Sequence, residues 1–207
     1  MALEERRERY RESLRQDILD AARELFARQG YEATSVRSIA ERVKCSPGIL
    51  YHYFDDKPAI MAQLVEETFS KLTERLSAIR DDRAPAIESL RRAGRTYIEF
   101  GLDHPHHYAV LFAKPAPHSE DAVAIRAAYE NHGHRCFDCL RTIVRRCMDD
   151  KCLRLELTDH EEVSQALWAS IHGMVSIVTN AKGFPFIEQS RLIDRQLDIL
   201  IEGVRKK

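Results

Sequence analysis

The stretch Val36-Arg37-Ser38-Ile39-Ala40-Glu41-Arg42-Val43-Lys44-Cys45-Ser46-Pro47-Gly48-Ile49-Leu50-Tyr51-His52-Tyr53-Phe54 decides the fold. Val36, Ile39, Ala40 and Val43 recur at helical spacing and give a short helix one inward side. Lys44-Cys45-Ser46 breaks the pattern. Ser46-Pro47 is a start signal, a capping hydroxyl followed by a residue whose missing N–H is no loss in the first turn. Ile49, Leu50, Tyr53 and Phe54 then supply the expected buried side of a second short helix, Pro47–Tyr53. A short helix held by its apolar side against two others leaves an outer side that fits a DNA major groove. That outer side offers Ser46, Tyr51 and His52, flanked by Arg37, Lys44 and Lys57, and the helix's open N-terminus suits a phosphate. Short helical hairpins also serve as plain packing units, so periodicity alone leaves both readings open.

Upstream, Leu14, Ile18, Leu19, Ala22, Leu25 and Phe26 give one apolar side of a first helix, which Gly30 stops. Thr34 or Ser35 can cap the helix that follows. Before Leu14 the chain mixes Glu4, Glu5, Glu8 and Glu12 with Arg6, Arg7, Arg9 and Arg11. This segment reads either as a solvated helix extension or as an arm reaching a minor groove. Downstream, Asp55-Asp56 can cap a fourth helix carrying Met61, Leu64, Val65, Leu72, Leu76 and Ile79 and ending near Arg80. A fifth helix runs to Asp103, where His104-Pro105 ends it. Lys114-Pro115-Ala116-Pro117 reads as a turn, and a long helix is expected from about Glu120 to Asp149. Thr158 with Glu161 matches a capping box ahead of another long helix to about Asn180. Gly183-Phe184-Pro185 breaks that one. A last helix has Leu192, Ile193, Leu197, Leu200, Ile201 and Val204 along one side. The expectation is an all-α chain of about nine helices. Its parts are a helix-turn-helix domain over 1–56 (the motif itself about 36–54), a connecting helix over 57–80 and a larger domain over 84–207.

Composition narrows the function classes. The 207 residues carry 32 Lys and Arg against 33 Asp and Glu, a net charge of -1, so any nucleic-acid contact must come from a local patch. No apolar run approaches the roughly 18–20 residues that span a bilayer, and the charged N-terminus offers no secretory signal. Five cysteines without an export signal fit reduced thiols, so the cytoplasm is the expected location. No Gly-rich phosphate loop, Gly-x-Ser-x-Gly elbow or His-Glu-x-x-His pair is present, so the expectation is a non-enzyme without a cofactor.

Three sets of residues carry a family resemblance. The first is Ala22-Arg23-Glu24-Leu25-Phe26, Gly30-Tyr31, Thr34-Ser35-Val36-Arg37 and Ile39-Ala40. The second is Ser46-Pro47-Gly48-Ile49-Leu50-Tyr51-His52-Tyr53-Phe54 with Lys57. Together these closely resemble the N-terminal domain of the tetracycline-repressor (TetR) family. The third, Trp168-Ala169-Ser170-Ile171-His172-Gly173, resembles the Trp-x-x-x-His-Gly motif of one C-terminal subgroup, as does the stretch from Tyr97 to Phe112. The resemblance implies a homodimer that binds a double-stranded operator and a small-molecule effector. It places Thr34 and Arg37 at the groove edge and Ser46, Pro47, Gly48, Tyr51 and His52 on the DNA face. It puts Lys57 near phosphate and the dimer seam on the last two helices, through the apolar side of Leu192–Val204.

The aromatics Tyr97, Phe100, Tyr108, Phe112, Tyr129, Phe137 and Trp168, with His172 one helical turn beyond Trp168, are candidates for an effector pocket. Aromatics at helical spacing also build ordinary cores. A competing reading is metal or thiol-redox sensing through His132, Cys136, Cys139 and Cys147, which share one sector of a helix. Ile125, Tyr129, Leu140 and Ile143 share that sector too, which is the pattern of a core face.

Overall fold

Residues 2–112 and 121–206 are described in the computed structural model, so the expected turn at Lys114–Pro117 and a helix start at Glu120 lie outside them. The described residues are helical almost throughout, and none forms a named strand. The helices are α1 (Ala2–Gln29), α2 (Val36–Val43), α3 (Pro47–Leu50), α4 (Lys57–Arg80), α5 (Ala86–Asp103) and α6 (Pro105–Phe112). They continue as α7 (Asp121–Ala128), a π-helical segment (Tyr129–Gly133), α8 (His134–Asp149), α9 (His160–Asn180) and α10 (Gln189–Val204). The run from Asp121 to Asp149 is unbroken, so counting it as one rod gives nine helices among the described residues. The long helix read from sequence is there, with a π turn inside it.

The chain divides into two compact units. One comprises 1–68 with 106–132, the other 69–105 with 133–207, so the chain passes from one to the other at 68/69 inside α4, at 105/106 and at 132/133. In the first unit, Ile18, Leu19, Ala22 and Phe26 of α1 are buried with Ile39 and Ala40 of α2, Leu50, and Ile60, Met61, Leu64 and Val65 of α4. Burying each large side chain of this kind contributes about 1.5–3 kcal/mol. Gly30 stops α1 in the left-handed region at φ 85°, and its N–H closes the last turn on the Phe26 carbonyl at 3.0 Å. Polar ties hold the short helices in place. Arg42 of α2 reaches Glu24 of α1 at 2.6 Å, and Arg23 of α1 reaches Glu67 of α4 at 2.9 Å.

In the second unit α5 is the central helix, packed by α8, α9 and α10. Gly94 lets α10 approach closely, since a Cβ there would stand 2.9 Å from Leu197 Cδ2. Gly133, at the head of α8, likewise faces the Phe69 ring, 3.3 Å from where a Cβ would be. After α8 the chain turns through Lys151 at φ 53°. Residues 152–154 then meet the carboxyl-terminal stretch, with Arg154 donating to the Val204 carbonyl and Lys206 to that of Cys152.

Four local readings are corrected. Ile49 is exposed rather than buried, because α3 is a single turn and its inward side is filled by Leu50 and, beyond it, Phe54. The cap of α9 is Asp159, whose carboxylate accepts from the Glu161 and Glu162 amides, rather than Thr158. A further helix, α6, follows Pro105, a residue well suited to a first turn. Finally, Ile193, Leu197 and Ile201 of α10, read as part of a seam, are buried within the chain where α10 packs on α5, while Leu192, Leu200 and Val204 of the same set are half-buried.

Candidate nucleic-acid interface and regulatory cluster

Local rules fix the helix-turn-helix. Ser35 caps α2 in a reciprocal box: its hydroxyl accepts from the Ser38 amide at 3.0 Å, and the Ser38 hydroxyl accepts from the Ser35 amide at 3.1 Å. Lys44 ends α2 in the left-handed region at φ 61°, and Ser46 with Pro47 restarts the chain as α3. Leu50, fully buried, and Phe54 anchor the turn from beneath. Above them Ser46, Pro47, Gly48, Ile49, Tyr51 and His52 are all exposed, so the residues expected on the DNA face form one continuous surface. Tyr51 is 53% exposed and Ile49 40%, an apolar element of the kind that meets a thymine methyl. Sequence reading missed Ile49 because it took α3 as two turns with a wide inner side.

The flanking residues differ among themselves. Arg37 and Lys44 are exposed, and Arg37 pairs with Glu41 one turn on at 3.0 Å, a contact of little energy at the surface. Thr34, expected at the groove edge, is buried instead; its hydroxyl donates to the Gly30 carbonyl at 2.8 Å and so closes the turn between α1 and α2. Lys57 is half-buried. Its ammonium donates to the Tyr31 carbonyl at 3.1 Å and sits 4.0 Å from the Tyr31 ring centroid. The amino-terminal arginines are not an extended arm, since α1 is helical from Ala2. Arg6, Arg7, Tyr10 and Arg11 line an open groove of about 480 Å³ with Tyr53, a feature no spacing rule had marked.

The eight aromatic and histidine candidates separate. Tyr97, Phe137, Trp168 and His172 meet in the second unit. Trp168 Nε1 donates to the Tyr97 hydroxyl at 3.1 Å, and that hydroxyl lies 3.3 Å from His172 Nδ1. An indole N–H can only donate, so the Tyr97 oxygen accepts there and its O–H can serve a bare Nδ1. Burial lowers the His172 pKa, which agrees with a neutral ring. Phe137 stands edge-on to Trp168 at 5.8 Å, and the Trp168 and His172 rings are 5.7 Å apart. Phe100 is core rather than lining: it is 1% exposed, against His104 and beneath Arg75. Tyr108, Phe112 and Tyr129 belong to the first unit. There Tyr108 packs on Phe112, and the Tyr129 hydroxyl donates to the Val110 carbonyl at 3.0 Å.

The cysteine reading fares poorly. Cys136, Cys139 and Cys147 are buried in the core of the second unit, and desolvation pushes all three thiols up, Cys136 to about 12. A metal ligand or redox sensor needs the opposite shift, toward thiolate. Among the described residues no group of three or more His, Cys, Asp or Glu could hold a metal, and no helix is long and apolar enough to cross a membrane.

Comparison with known proteins agrees with this architecture. Residues 18–64 match the family model for bacterial regulatory proteins of the tetR family, and residues 90–200 match that for a tetracyclin repressor-like C-terminal domain. The chain is 40% identical over 60 residues to the HTH-type transcriptional repressor AcnR of Corynebacterium diphtheriae, covering 29% of this chain and 32% of that one. It is 28% identical over 109 residues to the HTH-type transcriptional repressor KstR2 of Mycolicibacterium smegmatis, 53% of each chain. The matches thus span from about a third to about half of these relatives' length. Among solved structures it is similar to the transcriptional regulator FadR from Bacillus subtilis in complex with stearoyl-CoA. The TM-score is 0.74 at 22% identity, over 92% of this chain and 99% of that one. The ketosteroid transcriptional regulator KstR2 of Mycobacterium tuberculosis is also similar, with a TM-score of 0.74 at 21% identity over 93% and 95%. At these identities the likeness is one of fold.

Proposed function

Because the chain belongs to the tetR family of bacterial regulatory proteins, we propose that it is a transcriptional repressor that binds a palindromic operator as a homodimer and is released by a small apolar or aromatic effector. The observation that carries the DNA reading is the continuous exposed surface of Ser46, Pro47, Gly48, Ile49, Tyr51 and His52 over the buried Leu50 and Phe54. Arg37 and Lys44 flank it as phosphate contacts, and Lys57 adds its charge from beneath through Tyr31. Two copies about a two-fold axis would set two such surfaces about 34–36 Å apart, one turn of DNA. The seam is assigned to the outer sides of α9 and α10, which expose Ile177 and Ile199. The chain acts by binding rather than catalysis, in the cytoplasm where its DNA is. Fluorescence anisotropy against a labelled duplex from the DNA upstream of its own coding region tests this. Specific, saturable binding that weakens steeply with salt is expected. Affinity equal to that for mixed-sequence duplex overturns it.

The effector is assigned to Tyr97, Phe137, Trp168 and His172. Their rings offer apolar surface, and the Tyr97–His172 pair offers a polar point that orients a ligand. The Trp168, His172 and Gly173 spacing, which resembles the Trp-x-x-x-His-Gly subgroup, supports placing the regulatory site here. Release requires that the ligand bind the non-DNA state better, with a shift of α4 as the proposed output. Trp168 emission gives a direct readout. Compounds that quench it and lower DNA affinity together are expected, and the Tyr97→Phe variant should respond more weakly. Compounds that release DNA without altering Trp168 emission in any unaltered sample would place the site elsewhere.

A further inference from the structure

The amino-terminal turns of α1 carry a charge pattern that the helix-turn-helix does not use. At about 100° per residue, Glu4, Glu5, Glu8 and Glu12 fall in one sector of α1 and Arg6, Arg7, Tyr10 and Arg11 in the adjoining one, with Arg9 at the boundary beside Glu5. Glu4 and Arg7, and Glu8 and Arg11, stand three residues apart along the boundary of the two sectors, the spacing at which side chains pair. The basic sector also has a surface to face. It lines an open groove of about 480 Å³ whose further wall is Tyr53, two residues beyond Tyr51 on the proposed DNA face. The three arginines are exposed, and Tyr10 is 69% exposed.

We propose that this groove is a second DNA contact, in which Arg6, Arg7 and Arg11 hold phosphates of the strand beside the groove entered by α3, against walls formed by Tyr10 and Tyr53. The inference rests on the DNA-binding reading and extends it to residues outside the motif. Arginine suits the role because its planar fork meets phosphate oxygens in pairs, while its stem and the two tyrosine rings give the sugar an apolar bed. The helical state of α1 decides the mode. A helix about 10–12 Å across does not enter a minor groove about 6 Å wide, so the contact is to the backbone and carries no base reading. The site is also held rather than tethered. Arg15 bonds Gln63 of α4 at 2.9 Å and lies over the Phe54 ring at 5.3 Å, which fixes α1 to the turn that displays Tyr51 and His52. A fixed basic face loses little conformational entropy on binding, unlike a disordered arm.

The test is the salt dependence of binding to a labelled upstream duplex, measured by anisotropy for the full chain and two triple variants, R6A/R7A/R11A and R6Q/R7Q/R11Q. Each phosphate contact contributes about 0.9 to the slope of log affinity against log salt. Both variants should lose about 2–3 from that slope per bound chain and bind at least about tenfold more weakly near physiological salt. Their preference for the upstream duplex over a mixed-sequence duplex should be retained. R6K/R7K/R11K should keep most of the slope. The Y51A/H52A variant should do the reverse of the triple variants, losing preference while keeping slope. An unchanged slope in both triple variants, with unchanged melting by circular dichroism, overturns the inference and leaves the helix-turn-helix reading standing. Absence of duplex binding by the unaltered chain overturns both. Preference for poly-glutamate over duplex overturns the inference in favour of an acidic protein partner.

Discussion

Gly48 sits in the first turn of α3, where an added Cβ would meet no more than the Ser46 hydroxyl at 3.8 Å. Nothing within the chain demands a glycine there, and glycine costs a helix up to about 1 kcal/mol against alanine. On the proposed DNA reading, close approach of a DNA backbone would supply the reason. Gly48→Ala should therefore leave stability unchanged or raise it by up to about 1 kcal/mol in urea melts, yet weaken duplex binding several-fold. A variant that is more stable and binds as before would take Gly48 out of the interface. His172 makes a second prediction. Burial lowers its pKa, so above the ordinary histidine value of about 6.5 both folded and unfolded chains keep it neutral. Below that value the unfolded chain takes up a proton that the folded site resists. The stability it contributes is thus complete above about 6.5 and is lost as pH falls through the folded pKa. Across roughly pH 7.5 to 5, the melting temperature should fall further for the unaltered chain than for His172→Asn; equal falls would deny the burial its consequence. At this scale the sequence was most legible where one residue obeys one local rule. Ser46-Pro47 and Gly30 are of that kind. Thr34 was not, because a hydroxyl that closes a turn and one that meets a phosphate look alike until burial is known.

For elements, apolar periodicity located each long helix and its inward side but not the neighbour that side meets. The apolar side of α10 is the case in point: Ile193, Leu197 and Ile201 have the spacing of a dimer seam and the surroundings of a core, buried toward α5. Two glycines separate these roles experimentally. Gly94→Ala would place a Cβ 2.9 Å from Leu197 and should cost about 1–3 kcal/mol through overpacking, read as a lower urea midpoint. Gly173→Ala, in α9, meets nothing within 4 Å in its own chain and should leave the stability of a dilute sample intact. Comparable losses from both would contradict the packing of α5 on α10. The same ambiguity governed the cysteines of α8, whose spacing fits a ligand set and a core equally. Burial decides, and thiol labelling can show it. Under native conditions Cys45 and Cys152 should react with an aromatic disulfide reagent, while Cys136, Cys139 and Cys147 should wait for denaturant. Rapid reaction at more than two of the five thiols would reopen the redox reading.

Across the whole molecule, the sequence suggested a linear division into reader, connector and regulatory domain. The compact units gather 106–132 with the first 68 residues, and polar ties join the two stretches: the Thr68 hydroxyl lies 3.3 Å from His107 Nδ1, and His132 Nε2 lies 4.0 Å from the Glu66 carboxylate. The proposed assembly follows from what is left uncovered. Within the second unit α5 is covered by α8, α9 and α10, while Ile177 on α9 and Ile199 on α10 remain 57% and 62% exposed. An exposed isoleucine alone means little. Two on the outer sides of the last helices, with small residues Ala166, Ala169 and Gly173 along α9, make a face on which another helix pair can pack closely. Ile177→Glu with Ile199→Glu would bury charge only in a dimer, so the double variant should keep its helical signal while sedimenting as a single chain of 23.9 kDa. Loss of the second half-site should then lower operator affinity by about 10²–10⁴-fold, the factor that linking two readers confers, while binding to a single half-site persists. A double variant that still sediments at twice the chain mass would move the seam elsewhere. One that dissociates yet holds a full operator undiminished would mean that two readers are not coupled through this face at all.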